Sequence, residues 1–220
     1  MISSALHSLK KFKYELDLVR LNSESFSLLL HLNLWFKDRA LGLSPLQAGF
    51  PWINYVIIQF LHHYLKPGMR VLEFGAGGSS VFFLKRKVNL FSIEHENSWL
   101  IEVQRILSPK QLKNWVPHYS RSSNPNDQIP VAKDYLSNIE SIADSSIEIA
   151  LIDGRNRVEC IRQSIPKIKP GGCIILDNSD RPAYAIAYQL LNKWSLKETT
   201  CITNASNHVT PAAIWFKPHI

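Results

Sequence analysis

Cysteine is scarce in this chain of 220 residues, and its three cysteines stand far apart. Cys160, Cys173 and Cys201 form no CxxC pair and are odd in number, so neither a disulfide framework nor a zinc site is indicated. Long apolar runs are also lacking, whereas a membrane-spanning helix needs roughly 18 or more apolar residues. The first residues lack the basic start and apolar core of a signal peptide. We therefore expect a reduced, cytoplasmic setting and no membrane partner.

A dense basic cluster is missing as well, although the formal net charge is +7 and the pI is about 9.3. The richest basic stretch, Lys10 to Arg20, is interrupted by Glu15 and Asp17. Such scattered charge is typical of a solvated helix face, and a weak anion-attracting surface is the alternative. The charge pattern therefore does not indicate a nucleic acid partner.

The pattern of apolar residues divides the chain into two parts. Residues 1 to about 65 carry apolar side chains at near-helical spacing, and a last helix over Ile53–Leu65 ends at a Lys-Pro-Gly stop. From Met69 short apolar runs alternate with amphipathic segments, which predicts crossover units and a parallel sheet. These runs are RVLEF, NLFSIE, NWVPHY, IEIALID and GCIILDN. We predict an N-terminal helical cap over 1–66 and a doubly wound α/β domain over 67–220.

The last 25 residues predict a different strand arrangement. The segments LKETTCITN and HVTPAAIWFKP are separated by a polar turn around Ala205. Two alternating segments joined by a short polar turn are typical of an antiparallel hairpin. We therefore expect a mostly parallel sheet that closes on an antiparallel C-terminal hairpin.

The stretch VLEFGAGGSS, residues 71–80, is typical of a cofactor-binding loop. Glycines such as Gly75 and Gly77 allow a tight turn and a close approach of ligand to backbone, and a helix N-terminus follows. Glu94 ends the next predicted strand, where a carboxylate can accept hydrogen bonds from ribose hydroxyls. Nicotinamide and adenosyl cofactors share that ribose, so the spacing alone leaves an NAD(P)-dependent oxidoreductase open.

Glu73, two residues before Gly75, distinguishes between the two interpretations, a nicotinamide cofactor and an adenosyl cofactor. A negative charge beside a diphosphate is costly, whereas a cationic amino acid moiety would favour it. The pattern Glu73-x-Gly75-x-Gly77 resembles motif I of the class I S-adenosylmethionine-dependent methyltransferases. The resemblance extends over about Met69 to Pro218 and implies a Rossmann-like fold with a seven-stranded sheet. The alternative is that Glu73 caps the following helix.

This resemblance implies a set of cofactor contacts. Gly75, Gly77 and Ser79 would line the methionine part of S-adenosylmethionine, with Glu73 beside them. Glu94 would bind the ribose. The adenine contact would follow the third strand, at Tyr119 or Ser120.

A second group of polar residues follows the fourth and fifth predicted strands. Asp153, Asp177 and Asn178 form an oxygen-only set suited to Mg²⁺. The set is similar to that of the divalent-metal-dependent O-methyltransferases of the catechol and caffeoyl-coenzyme A types, which implies a catalytic role for Asp153. Asn156 stands where the catechol-type enzymes carry a lysine base. The alternative is that Asp153 contacts the cofactor or substrate directly while Asp177 and Asn178 cap a helix near Pro182.

Three arginines accompany these acids. Arg155, Arg157 and Arg181 are candidates for binding a carboxylate or phosphate of the substrate, because a planar guanidinium suits an anionic oxygen group. Neutralising the neighbouring acids is the equal alternative.

The predicted function is therefore S-adenosylmethionine-dependent methylation of a small molecule, with O-methylation preferred. No Asn-Pro-Pro-Tyr-type base-methylation motif follows the fourth strand, where IDGR stands, which again argues against nucleic acid. An oxidoreductase and a non-catalytic cofactor-binding module remain as alternatives. The sequence predicts neither the methyl acceptor nor the oligomeric state.

Overall fold

The computed structural model describes residues 32, 34–38, 40–120, 136–204, 206 and 208–219. The expected early helices around Leu16, Val19 and Leu28 lie outside these residues, as does the predicted loop after Ser120. Within the described ranges, no helix has the length and apolar character needed to cross a bilayer.

A seven-stranded sheet occupies the centre of the molecule, in the order β3-β2-β1-β4-β5-β7-β6. Strands β1 to β5 pair in parallel, and β7 lies antiparallel between β5 and β6. This arrangement confirms the predicted fold class and its closing hairpin. The strands are β1 Arg70–Phe74, β2 Asn89–Glu94, β3 Trp115–Tyr119, β4 Ile147–Ile152, β5 Ile168–Asp177, β6 Ser195–Ile202 and β7 Val209–Phe216.

Helices cover both faces of this sheet. Their bounds are α1 Pro45–Ala48, α2 Tyr55–Tyr64, α3 Gly78–Lys85, α4 Asn97–Ile106, α5 Pro109–Leu112, α6 Arg157–Ser164 and α7 Ala185–Leu190. One core cluster includes Ile57 of α2 and Phe83 of α3, and the other includes Ile161 of α6 and Ala187 of α7. The central strands are therefore buried on both sides, as their continuous apolar runs require.

Helix α2 begins two residues later than the sequence predicts. The side chain of Asn54 accepts a hydrogen bond from Ile57 N at 3.1 Å and so satisfies a free donor of the first turn. Asn54 is therefore the N-cap, and Ile53 lies outside the helix.

The chain leaves neighbouring strands β1 and β4 toward opposite sides, because β2 pairs with one edge of β1 and β5 with the far edge of β4. Such a reversal opens a crevice at the carboxyl ends of the strands, where ligands bind in sheets of this kind. The glycine loop after β1 and Asp153 after β4 both reach this crevice.

Candidate cofactor and acceptor site

A cavity of about 890 Å³ opens at this crevice. Its walls are the glycine loop, the end of β2 with the first turn of α4, the segment after β4, Arg181, and the N-terminal segment 42–47 with Trp52. Clefts of roughly 300–1,000 Å³ are usual for small-molecule and cofactor sites. This cavity therefore has room for a nucleotide-like cofactor.

The glycine loop passes very close to the segment after β4. Gly75 has a φ of +93°, and a Cβ added there would lie 3.0 Å from Gly154 N. A side chain at this position would meet both a strained conformation and neighbouring backbone. Glycine is thus required here for the two loops to approach each other.

Glu73 lies beneath the glycine loop and outside the cavity lining. Its Oε2 accepts hydrogen bonds from Ser80 Oγ and Ser92 Oγ, both at 2.7 Å, and Ser80 Oγ in turn accepts from Gly77 N at 3.0 Å. Burial raises the pKa of Glu73 to about 7, against the opposing effect of these serine hydroxyls. The carboxyl group supports the loop from below, and its predicted contact with the cofactor stays a prediction.

Glu94 lines the cavity at the end of β2 and is only 3% exposed. Its carboxylate accepts hydrogen bonds from the backbone N–H groups of Ala76, His95 and Glu96, each at 2.8 Å. The indole Nε1 of Trp99 donates to Ala76 O. Glu94 and Trp99 therefore hold the backbone of Ala76 from both sides.

Trp99 is a cavity residue that the sequence patterns did not predict. It lies in the first turn of the helix after Glu94, borders the cavity and is 40% exposed. A tryptophan so close to a candidate ribose-binding carboxylate is a signal that could have marked it.

Two other predicted cofactor residues lie differently. Ser79 lines the cavity together with Gly75 and Gly77. Ser120 is buried outside the lining, with its backbone N–H donating to Glu94 O at 2.8 Å. Its contact with adenine stays a prediction.

Arg157 lies between the two predicted metal-binding aspartates. Its guanidinium is almost fully buried, and Nη2 donates to Asp153 O at 2.8 Å and to Asp153 Oδ1 at 2.9 Å. Nη1 donates to Asp177 O at 2.6 Å and lies 3.8 Å from Asp177 Oδ2. The side chain thereby joins the ends of β4 and β5 with a cation.

Both aspartates hold protons more readily than isolated carboxyl groups. Burial raises the pKa of Asp177 well above its usual range, the neighbouring Asp153 raises it further, and Arg157 lowers it. Burial also raises the pKa of Asp153, against the lowering effect of Arg157. Because the two carboxyl groups interact, they take up protons as a pair, and burial raises the pKa of both.

Arginines contact one side-chain oxygen of each residue in the predicted Mg²⁺ set, and the metal stays a prediction. Arg157 contacts both carboxyl groups, and Arg181 Nη2 donates to Asn178 Oδ1 at 3.0 Å. In the described part of the chain, His, Cys, Asp and Glu form no group of three that could hold a metal ion. The sequence could have suggested this arrangement, because Arg157 follows Asp153 at the i,i+4 spacing of a helix start.

The three candidate substrate arginines therefore separate into two kinds. Arg157 is a buried link between strand ends, although one edge of it borders the cavity. Arg155 and Arg181 also line the cavity and are not buried. Asn156 directly follows Arg155 in sequence but is buried at the start of α6, with a φ of +52°.

No protein-family model and no curated protein matches the chain. Solved structures do. A putative caffeoyl-CoA O-methyltransferase from Staphylococcus aureus is 15% identical with a TM-score of 0.57, over 88% of this chain and 98% of that one. A precorrin-6y C5,15-methyltransferase from Geobacter metallireducens is 15% identical with a TM-score of 0.51, over 70% and 82%. A tRNA (m1A58) methyltransferase from Aquifex aeolicus is 13% identical with a TM-score of 0.51, over 76% and 70%.

These three proteins act on different acceptors by their names, so their likeness bears on the fold alone. In this chain the sheet order and the closing antiparallel hairpin define the fold. The chain has the Rossmann-like fold of the class I methyltransferases.

Proposed function

We propose that this chain binds S-adenosylmethionine in the cavity and catalyses methylation of a small molecule, with an oxygen as the preferred acceptor atom. The observation that carries the proposal is the placement of Glu94. Its carboxylate borders the cavity at the end of β2, beside the glycine loop. A carboxylate at this position suits the two hydroxyls of an adenosyl ribose.

A dinucleotide is a poorer fit because one backbone N–H beside the start of α3 is already donated within the loop. A Cβ added at Gly78 would lie 2.1 Å from Phe50 O and 2.4 Å from Pro45 O. These two carbonyl groups pack against the first residue of α3. The donated N–H is that of Gly77, and Ser80 accepts it.

The walls of the cavity favour a small acceptor over a polymer. The N-terminal segment, through Leu43, Leu46 and Trp52, lines the same cavity as Asp153 and Arg181. A cavity with such an apolar wall suits a small molecule that enters whole.

Asp153 is the proposed catalytic residue. S-adenosylmethionine, when bound, supplies the methyl group from its sulfonium. The carboxylate of Asp153 would accept the proton of the acceptor hydroxyl, and Arg157 would hold that carboxylate at the cavity. Deprotonation by a side chain and alignment in the cavity need no metal ion, so Mg²⁺ is not part of the proposal.

The test is calorimetric titration of the protein with S-adenosylhomocysteine, with NADH as the comparison ligand. We expect micromolar binding of S-adenosylhomocysteine and at least about a tenfold loss for Glu94→Gln, since one charge-assisted hydrogen bond is worth that factor. Asp153→Asn should keep this binding and lose turnover on any acceptor found.

Glu102→Gln is the matched control, because Glu102 is an exposed acid on the following helix. It should bind like the unmodified protein. Binding of NADH without S-adenosylhomocysteine would replace the proposal with an oxidoreductase. Cofactor binding without turnover over a broad acceptor panel would favour a binding module.

A further inference from the structure

Positive charge gathers at the end of the sheet opposite the cavity. This amino-terminal rim consists of the turns that enter β1 to β6, the first two residues of each of these strands and the turn that leaves β7. Among the described residues it carries nine lysines and arginines against three acids, whereas the formal net charge of the whole chain is +7. The fold therefore brings together cations that stand apart in the sequence.

Most of these cations have no acidic partner. Lys167 Nζ lies 2.7 Å from Asp144 Oδ1, and Lys169 pairs with Glu148, so two of the three acids are already paired. In the part of the chain that the structure describes, six further cations of the rim pair with no carboxylate. They are Lys66, Arg70, Lys87, Lys113, Lys193 and Lys217. The rim thus keeps an excess of positive charge on both sides of β4.

Helix ends account for only part of this charge. Several strands are entered from the C-terminus of a helix, where a cation complements the helix dipole. Arg70 and Lys169, however, lie on strands, and Lys217 follows β7. The helix dipole does not explain these three cations.

A small polar cavity opens at the rim ends of β1, β2 and β3. It has a volume of about 130 Å³, and its polar wall consists of Arg70, Lys113, Asn89 and Asn114. A water molecule occupies roughly 30 Å³ in the liquid, so the cavity has room for a group of a few non-hydrogen atoms, such as one phosphate. Two cations at the wall suit the charge of that group.

A larger cavity of about 510 Å³ opens at the other end of the rim, and Lys193, Trp194 and Lys217 line it. Lys217 Nζ donates to Ile165 O at 3.2 Å and to Ile168 O at 2.7 Å, and it lies 5.8 Å from the centre of the Trp194 ring. These acceptors are neutral carbonyl groups, so the ammonium keeps its charge beside the aromatic ring. A cavity of this volume with an aromatic ring and two cations suits a nucleotide.

We propose that the amino-terminal rim binds a single-stranded nucleic acid. One phosphate enters the cavity at Arg70 and Lys113, the unpaired cations follow the backbone, and a base stacks in the cavity at Trp194. Neighbouring strands lie about 4.8 Å apart, so the path from β3 to β6 is roughly 29 Å long. A single strand fits better than a duplex because its unpaired bases can stack on an aromatic ring. The rim lies at the other end of the strands from Glu94, so this inference does not depend on the proposed function.

The experiment compares a labelled 12-nucleotide oligothymidylate with an abasic strand that has the same phosphates, by fluorescence anisotropy at several salt concentrations. We expect the logarithm of the affinity to fall with the logarithm of the salt concentration with a slope of about −3 to −4, because each neutralised phosphate of a single strand contributes about −0.7. The oligothymidylate should bind about tenfold more tightly than the abasic strand, the factor of one stacked base.

Arg70→Gln combined with Lys113→Gln should make the slope shallower by about 1.4, since two phosphate contacts are lost. Trp194→Leu should remove the tenfold preference for the strand with bases and leave the slope unchanged. Thermal unfolding checks that each variant is folded. If Trp194→Leu is not, Lys193→Gln tests the same cavity at an exposed residue and should make the slope shallower by about 0.7.

Lys37→Gln is the matched control. Lys37 is an exposed lysine close to Trp35, whose indole donates to Ser206 O in the turn between β6 and β7, at the other end of the sheet. The control should keep both the slope and the preference of the unmodified protein.

Equal affinity for the two strands, or a slope that the paired substitution leaves unchanged, would overturn the inference. Tighter binding of phosphatidylglycerol vesicles or of polyglutamate than of the oligonucleotide would also overturn it, by assigning the rim to a membrane or to an acidic protein. Displacement of the oligonucleotide by S-adenosylhomocysteine would do the same, because the strand would then occupy the cavity at Glu94.

Discussion

Glu73 is part of a hydrogen-bonded chain that crosses three strands. Trp115 Nε1 of β3 donates to Ser92 Oγ of β2 at 2.9 Å, and Ser92 donates to Glu73 of β1. Ser80 links this carboxyl group to the glycine loop. The hydroxyl of Ser80 serves in this chain as both donor and acceptor.

This buried carboxyl group should make stability depend on pH. Its pKa of about 7 in the folded protein lies above the ordinary value of 4.5. The folded state therefore binds the proton more tightly, so the stabilisation is complete below about 4.5 and is lost as pH rises through about 7. We expect the free energy of unfolding to fall by up to about 3 kcal/mol across this window, relative to Glu73→Gln.

Urea unfolding at pH 5 and pH 8 measures the difference. Glu102→Gln, at an exposed acid, should follow the unmodified protein at both values. A Glu73→Gln protein with the same pH dependence as the unmodified one would show that Glu73 does not carry it.

Single residues also show how much of the site the sequence predicts. The sequence places the glycines, Glu94 and Asp153 at the carboxyl ends of strands, because each of them ends or directly follows a predicted strand. The partner of Asp153 could not, since oxygen-rich loops suit a metal and a guanidinium equally well. Only the side-chain direction of Arg157 decides between them.

At the scale of elements, helices α1 and α3 lie in direct backbone contact through Gly78. An added Cβ there would meet Phe50 O and Pro45 O at 2.1 and 2.4 Å, which are backbone atoms that cannot rotate away. Helix propensity by itself favours alanine over glycine by about 1 kcal/mol. Steric contact and helix propensity thus predict changes of opposite sign in the free energy of unfolding when Gly78 is replaced by alanine.

We expect sterics to dominate, so Gly78→Ala should lower the free energy of unfolding by about 1–3 kcal/mol, the usual cost of overpacking. It should also weaken S-adenosylhomocysteine, because the N-terminal segment forms one wall of the cavity. Thermal unfolding and calorimetry measure the two effects.

Gly77→Ala is the comparison, since the atoms nearest to its Cβ would belong to the Trp99 side chain, the first at 3.3 Å. Its stability loss should be smaller. A Gly78→Ala protein more stable than the unmodified one would mean that the contact between α1 and α3 yields at no cost.

The elements themselves could largely be predicted from sequence. Continuous apolar runs predicted the central strands because burial on both faces demands them. Even Pro117 in β3 is compatible, since among the described strands β3 lies at the sheet edge and pairs with β2. The start of α2 was predicted wrongly because apolar Ile53 continued the pattern while the side chain of Asn54 ended it.

At the scale of the whole molecule, the segment before α2 is joined to the C-terminal hairpin. Asn54 Nδ2 donates to Thr210 O at 2.9 Å and to Thr199 Oγ1 at 3.3 Å, and Asn204 N donates to Ile53 O at 3.3 Å. Helix α2 also contributes to the core cluster that contains strands β1, β4 and β7. The division into 1–66 and 67–220 stays a prediction.

We expect α2 and β7 to unfold together rather than as separate domains. Native-state hydrogen exchange should give the same opening free energy for the protected amides of both elements. Asn54→Ala should lower both values by about 2–3 kcal/mol, because it removes buried hydrogen bonds worth about 1 kcal/mol each. Asn97→Ala, at the exposed start of α4, should lower neither.

Exchange of α2 at a clearly lower free energy than β7 would contradict this expectation. The N-terminal segment would then open independently of the sheet, and the predicted N-terminal cap would be a separate unit.

The guanidinium between Asp153 and Asp177 has one more consequence. A bound metal ion exchanges with the surrounding solution. The occupancy of its site therefore depends on the concentration of that metal around the protein. Arg157 is attached by its own backbone and is present in every molecule once the chain has folded. The positive charge at these two strand ends is therefore encoded in the amino-acid sequence and does not depend on the metal content of the solution.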